Sequence, residues 1–464
     1  MLALKCCGEP IQEKRELDMT TTTKQDFPFT QSYWMLNQSF ETSSALSGSH
    51  KTDVVIVGGG YAGLSTAFTL IEAQPDLNVT LIEAQHIGFG ASGRNGGHIL
   101  NVPPHAWWMG NLNNKQVIDN AHLYRNIAED QKNKMLAALA AQNIDIEPYP
   151  EFIGAVARTR IEEAAAEVLY KAAVAVGVEA EFSRGKEALA RTYNFPGNNV
   201  RATFHTMTTC MQPFKLAQGL RSLLLKRGVT IFENSPVNDI QSTQGGVTVT
   251  TSNGTIEAQK AVLSTNAYSA RQKLTLNAPY PKAGMLHTYM MATEKLPKDV
   301  LKKIAPADEG IGDASPTFYY GRVHDDRLLF GGTDRKTENT EQEDRHLQSY
   351  QNLHTEMLRR FPYLADTKLY AAWGGAIQQT TFETPVTKRA DEDSNIILNT
   401  AFGGNGGVNQ SILSGRLTTA LVLEKTDDTD AYHLMSELER TQMPLSILPR
   451  FALGFTGTLI KNLF

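Results

Sequence analysis

Cysteine is scarce in this chain: Cys6, Cys7 and Cys210 are the only three among 464 residues. Three cannot form a disulfide framework, and the adjacent pair lacks zinc-site spacing, so no metal site is expected and a reducing, cytoplasmic compartment fits best. Net charge is also small, −5 from 44 basic and 49 acidic residues, with no basic block. Nucleic acid is therefore not an expected partner. No apolar run approaches the roughly 20 residues that span a bilayer. The nearest, Phe451–Ile460, lies between Arg450 and Lys461. It reads as a docked C-terminal segment, with peripheral membrane contact through the tail as the sharper alternative. Met1–Lys5 is too short an apolar run for a secretory signal, and Met19 offers a second plausible start.

A composition of 41% hydrophobic and 20% charged residues suits two or three well-buried domains. The sharpest signal begins at Asp53-Val-Val-Ile-Val57, a continuous apolar run of the kind a buried parallel strand needs. Gly58-Gly59-Gly60-Tyr61-Ala62-Gly63 follows and matches G-x-G-x-x-G. Leu64, Ala67, Phe68, Leu70 and Ile71 then recur at helical spacing, and Val79–Ile82 reads as a second strand ending in Glu83. Gly58 permits the tight turn, Gly60 lets backbone approach a pyrophosphate, and Gly63 lets helix and strand pack closely. The helix N-terminus offers free N–H groups to phosphate, while Glu83 can accept from ribose hydroxyls.

A second glycine cluster, Gly88-Phe-Gly-Ala-Ser-Gly-Arg-Asn-Gly-Gly97, comes directly after the acid. A nicotinamide dehydrogenase would run into another crossover helix there, whereas a flavin needs close-approaching backbone. Ser92 and Asn95 can bond phosphate or ring atoms, and Arg94 can offset phosphate charge.

With both glycine clusters in place, the chain resembles the D-amino-acid-oxidase-like superfamily of FAD amine oxidoreductases over roughly residues 30–455. Gly90–Gly97 is most similar to its gamma-glutamylputrescine oxidoreductase branch. The resemblance implies an α/β two-domain fold, with a discontinuous Rossmann-like FAD-binding domain and a mixed-sheet substrate domain. The expected division is an arm at 1–49, FAD-binding pieces at 50–110, 205–270 and 370–425, substrate pieces at 111–204 and 271–369, and a tail at 426–464. Helices are expected over Lys115–Gln142 and Arg160–Val176, and strands over His287–Ala292, Thr317–Tyr320 and Arg327–Phe330.

The same resemblance assigns non-covalent FAD to Gly58, Gly60, Tyr61, Ala62, Gly63, Glu83 and Ala84 in the first unit. Gly90, Ala91, Ser92, Arg94, Asn95, Gly96, Gly97 and His98 follow in the second cluster. Val237 would meet the adenine, and Thr265 and Asn266 form a turn beside the cofactor. Gly403, Gly404, Asn405, Gly406, Gly407 and Val408 would cover the flavin's pyrimidine edge, with a helix from Gln410.

The implied chemistry is hydride transfer from a C–H beside an amine nitrogen to the flavin, with hydrolysis of the imine. The electrons would go to O2 or to an electron carrier. His98, Tyr320 and Trp373 are the catalytic candidates, and Trp107, Trp108 and Tyr319 are further candidate walls for the amine. Related amino-acid oxidases carry a carboxylate-clamping arginine where Ile377 stands. Sarcosine oxidases carry a lysine near Val408 or Asn409, and another lysine on the strand matching Arg327–Gly332. These departures favour an amine or polyamine derivative over a plain α-amino acid, although Arg94 or Arg322 could replace the missing charge. The other reading is an amino-acid or N-methyl amino-acid dehydrogenase that passes electrons to a quinone or other carrier.

Overall fold

A computed structural model describes residues 26–103, 112–191, 200–243, 245–269, 283–314, 319–336, 344–380, 383–390, 395–403 and 406–440. Trp107, Trp108, Gly404, Asn405, the first 25 residues and the tail beyond 440 lie outside them. No helix among the described residues is long and apolar enough to cross a membrane.

The described strands form two sheets. The first runs β16 (Val386–Arg389), β17 (Ile396–Thr400), β10 (Gly254–Leu263), β1 (Gly48–Val57), β2 (Val79–Ile82) and β7 (Thr230–Phe232). A meander of β8 (Val237–Thr243) and β9 (Gly246–Thr251) joins it at β10. Its central strands are parallel, with Val55 opposite both Thr80 of β2 and Ala261 of β10. This is the doubly wound arrangement that the apolar run at 53–57 anticipates: the strand is buried on both faces.

The second sheet runs β15 (Leu369–Gln379), β11 (Gly284–Thr293), β14 (Arg327–Lys336), β13 (Tyr320–His324), β12 (Gly310–Asp313), β4 (Tyr149–Ala157), β6 (Ala202–Cys210) and β3 (His98–Leu100). Strand β5 (Ala180–Arg184) pairs on β6. It is mixed: β12 and β4 are parallel, and the other pairs are antiparallel.

Helices α1 (Tyr61–Ala73), α2 (Lys115–Ala141), α3 (Arg160–Ala175), α4 (Gly185–Arg191), α5 (Pro213–Lys226), α6 (Lys298–Ile304), α7 (Leu347–Arg360), α8 (Gly407–Val422) and α9 (Thr429–Arg440) cover the sheets. Several start where the sequence supplies caps. Thr159 and Glu162 close a capping box on α3, and Gln212 caps α5 just before Pro213. Leu64, Phe68, Leu216, Leu220 and Leu417 of α1, α5 and α8 pack with Ile56 and Leu81 in one core.

Several expectations need correcting. The expected boundaries at 205 and 370 fall inside β6 and β15, both of which pair in the second sheet. Helix α2, expected in the substrate domain, sends Tyr124, Ile127, Met135 and Leu139 into the core beneath the first sheet. Its apolar stripe decides its partner, whatever its place in the chain. Within the expected arm, Phe27, Trp34 and Leu46 are buried, and Trp34 Nε1 donates to the Asn95 carbonyl at 2.7 Å. The strand expected at Thr317–Tyr320 is described from Tyr320 onward, and β14 runs past Phe330 to Lys336. Helix α8 begins at Gly407 rather than Gln410, its N-cap Gly406 in the left-handed region at φ 101°.

Candidate active site

The two sheets enclose a cavity of about 630 Å³. One end is built on the parallel sheet. After β1 the chain turns at Gly58, φ 115°, where a side chain would lie 2.6 Å from the Ser264 carbonyl oxygen. At Gly63 a side chain would overlap the carbonyl oxygen of Gly58. Both positions therefore require glycine, and the N-terminus of α1 is left open to the cavity. Gly58, Gly60, Tyr61, Ala62, Glu83, Ala84 and Val237 line this end; Gly63 serves the packing behind it.

Glu83 follows β2, and its carboxylate accepts from Gly59 N at 2.7 Å and Gln85 N at 3.0 Å. Burial pushes its carboxyl above the usual carboxylate range, although those N–H donors oppose the shift. Ser92 Oγ accepts from Tyr61 N at 2.9 Å, linking the second glycine cluster to the helix end.

Gly90, Ala91, Ser92, Arg94, Asn95, Gly96 and His98 line the middle of the cavity. Gly97 does not; its α-carbon faces Arg322 and the Met211 carbonyl. Asn95, expected to touch cofactor, spends its side chain closing its own turn. Its amide donates to the carbonyls of Ala91 and Ser92 and accepts from Gly97 N. Arg94 is 5% exposed and donates to Phe89 O at 2.9 Å, Gly374 O at 3.0 Å and Asp344 Oδ2 at 3.1 Å.

Thr265, Asn266, Gly406, Gly407 and Val408 line the wall facing α8, where Asn266 Oδ1 accepts from Phe402 N at 3.1 Å. Gly403 lies outside the lining, against Gln378 and Gln379. The far end is walled by Leu286, Thr288, Met290, Tyr320, Trp373 and Ile377 from the second sheet. Burial pushes the Tyr320 hydroxyl up to about 12, against a hydrogen bond with Thr288. The Trp373 indole is fully buried, stacked 6.0 Å from Tyr33 and donating to Arg94 O at 2.8 Å, so it braces the glycine cluster. Tyr319 is core instead, its ring stacked on Phe330 at 5.8 Å.

Behind the wall lies Glu151, which sequence reasoning missed, together with Cys210 and with Arg322, a candidate charge in the sequence. His98 Nε2 is 3.2 Å from Glu151 Oε2, and the Cys210 thiol donates to the same oxygen at 2.7 Å. Arg322 is fully buried and held by the carbonyls of Gly97 and Met211, with its guanidinium over the Trp34 and Tyr149 rings. Burial pushes the Cys210 thiol above its ordinary range, and Glu151 adds to that shift. With the thiol protonated and a guanidinium nearby, this cluster is poorly suited to a metal ion. Asp344 also joins the lining: burial would raise its carboxyl, but His287 and Arg94 hold it below its ordinary value.

A glycine turn at a helix start, an acid after the second strand and an elongated cavity together suit a dinucleotide. Residues 53–421 match the family described as FAD dependent oxidoreductase, DAO. The chain belongs to that family. It is 28% identical over 432 residues to the probable oxidoreductase OrdL of Rhizobium meliloti, covering 88% of this chain and 91% of the relative. It is 27% identical over 412 residues to the gamma-glutamylputrescine oxidoreductase of Escherichia coli, covering 87% and 91%. Its fold is similar to glycine oxidase from Bacillus cereus, with TM-score 0.67, 18% identity, and 86% and 100% of the two chains covered. The chain is thus an FAD-dependent oxidoreductase of the DAO family, with a mixed α/β two-domain fold.

Proposed function

We propose that the donor is an amine of the gamma-glutamylputrescine type rather than a plain α-amino acid. The observation that carries this reading is where positive charge is spent. Arg94 is engaged by Asp344 and two carbonyls, and Arg322 is withdrawn behind the cavity wall onto Trp34 and Tyr149. Strand β15 presents Ile377 to the cavity. Among the described residues, no unengaged arginine or lysine lines the cavity to pair with a carboxylate on the reacting carbon, the feature that sets a plain α-amino acid apart from such an amine. Leu286, Met290, Tyr320 and Ile377 form a wall suited to a hydrocarbon chain carrying nitrogen. The likeness to the Escherichia coli relative supports the same class.

In this reading the first sheet holds the cofactor and the second shapes the substrate space. When bound, FAD supplies the acceptor for a hydride leaving the carbon beside the amine nitrogen. The residues assigned to holding it are those of Gly58–Gly63, Glu83, the Gly90–His98 cluster and Gly406–Val408, without a covalent link. Tyr320 and Ile377 exclude water around the reacting carbon. The imine leaves and is hydrolysed to an aldehyde or oxo acid, and O2 takes the electrons to give H2O2. A reducing, cytoplasmic setting fits the free thiol of Cys210.

The test is an anaerobic screen of the FAD-loaded protein for loss of oxidised-flavin absorbance. Rapid bleaching by gamma-glutamylputrescine and related amines, with glycine, sarcosine and D-amino acids inert, is expected. Bleaching by the amino acids alone would overturn the amine assignment. Full dye reduction without oxygen uptake would replace O2 by a carrier.

A further inference from the structure

His98 faces two ways. On the cavity side, a side chain added at Gly96 would lie 3.6 Å from His98 Nδ1 and 3.1 Å from the Tyr320 ring, and all three residues line the cavity. On the other side, Nε2 lies 3.2 Å from Glu151 Oε2, with both side chains more than nine-tenths buried at 7% and 8% exposure. The same carboxylate oxygen accepts from the Cys210 thiol. An ionised carboxylate is acceptor-only, so the 3.2 Å contact is a hydrogen bond only when Nε2 carries the proton. That leaves the lone pair of the neutral ring on Nδ1, the nitrogen turned toward the cavity.

We infer that His98 Nδ1 takes the proton an incoming ammonium must lose, and that Glu151 is the positioning residue fixing this tautomer and supporting the imidazolium once formed. The inference rests on the amine reading above. The step balances simply: R2CH–NH3+ and neutral imidazole give R2CH–NH2 and imidazolium. The N–H bond breaks and its electron pair stays on nitrogen as the lone pair that closes the C=N bond of the imine; the C–H pair then leaves with the hydride, for which FAD, when bound, would be the acceptor.

The surroundings suit the role. The charged and titratable groups facing His98 are Glu151 on β4, Cys210 on β6, and Arg322 and Tyr320 on β13, with Tyr149 beyond Cys210. Burial, reinforced by Arg322, holds the ring below its ordinary value, while Glu151 pulls the other way. The ring is therefore neutral at pH 7 and able to accept, and the carboxylate behind it stabilises the charge that arrives. Nothing in the local sequence announces this pair, since Glu151 lies 53 residues further along the chain.

Two measurements test it. The first is 15N NMR of histidine-labelled holoenzyme, with His98→Gln identifying the signal. A protonated Nε2 and a bare Nδ1 are expected near pH 8, and a bare Nε2 would overturn the assignment. The second is anaerobic flavin reduction by the best amine as a function of pH. His98→Gln should slow reduction at pH 7 by about 100-fold or more, with Glu151→Ala intermediate and Glu151→Gln milder. The deficit should close as pH passes the free amine's own pKa, because the substrate then arrives neutral; a purely structural defect would persist there. Wild-type rates in His98→Gln across the pH range would overturn the inference while leaving the amine reading standing. A wild type that no amine bleaches would overturn that reading and the proton-acceptor role with it; the NMR pattern still decides whether Glu151 positions the ring.

Discussion

Arg94 Nη1 donates to Asp344 Oδ2 at 3.1 Å, joining the second glycine cluster to a carboxylate 250 residues away on the cavity lining. The pair occupies the one lining guanidinium among the described residues. Asp344→Asn removes the charge while keeping the shape, so Arg94 gains an unneutralised positive charge facing the cavity. The ratio of kcat/KM for α-amino acids to that for amines should then rise by roughly tenfold, equivalent to about 1.4 kcal/mol. Steady-state kinetics on both substrate classes check this. An unchanged ratio would mean that Arg94 does not reach the substrate.

Acid should destabilise the fold well before the carboxylates titrate. His86, His98, His324 and His354 are each held below the ordinary value of 6.5, in every case chiefly by burial. A depressed histidine means that the unfolded chain binds protons first as pH falls through 6.5, so stability drops from about pH 7 downward. The depressed carboxyls of Asp344 and Glu147 have ordinary values of 3.8 and 4.5, so their contribution is lost only at lower pH. Glu83 is raised and acts in the opposite sense as pH climbs through 4.5. The urea midpoint of unfolding is expected to be flat from pH 7 to 8 and to fall between pH 6.5 and 5. His98→Gln should flatten that fall; a midpoint constant down to pH 5 would contradict the burial of these rings.

What the sequence made legible is local. Strand, glycine turn, helix, strand and acid follow one another within Asp53–Glu83, and hydrogen bonding inside that unit sets its geometry. The residues missed are those whose partners arrive from afar. Glu151 meets His98 through the pairing of β4, β6 and β3, and Asp344 reaches Arg94 across the cavity. Asn95 lines the cavity as expected, but its side-chain amide closes its own turn, a use that a short amide satisfies as readily as a ligand. Residues 26–47 fall in the expected arm, yet Phe27, Tyr33, Trp34 and Leu46 are buried, while Phe40 stays exposed. Spacing cannot reveal that, because Phe27, Tyr33 and Trp34 meet a surface assembled largely from β11, β14 and β15, while Leu46 joins the core of the first sheet beside Val55 and Ile82.

Glu233 shows how such a distant anchor governs the cofactor end. It is fully buried just after β7, and its carboxylate accepts from Ile87 N at 2.7 Å, Ser43 N at 2.6 Å and Arg221 Nε at 2.8 Å. Three segments therefore converge on one side chain, among them the residue immediately before the second glycine cluster. Glu233→Ala leaves two backbone donors and a guanidinium without their partner, a loss worth about 3–5 kcal/mol. Glu233→Gln keeps one acceptor oxygen but sets an amide donor against donors, costing about 1–3 kcal/mol. Because the damage begins at Ile87, FAD should be released at a lower temperature than the main helical transition. Flavin fluorescence and far-ultraviolet circular dichroism recorded in one melt would separate by several degrees in Glu233→Ala and coincide in the wild type. Coincident transitions in the variant would mean that this carboxylate stabilises the whole fold without a particular hold on the glycine cluster.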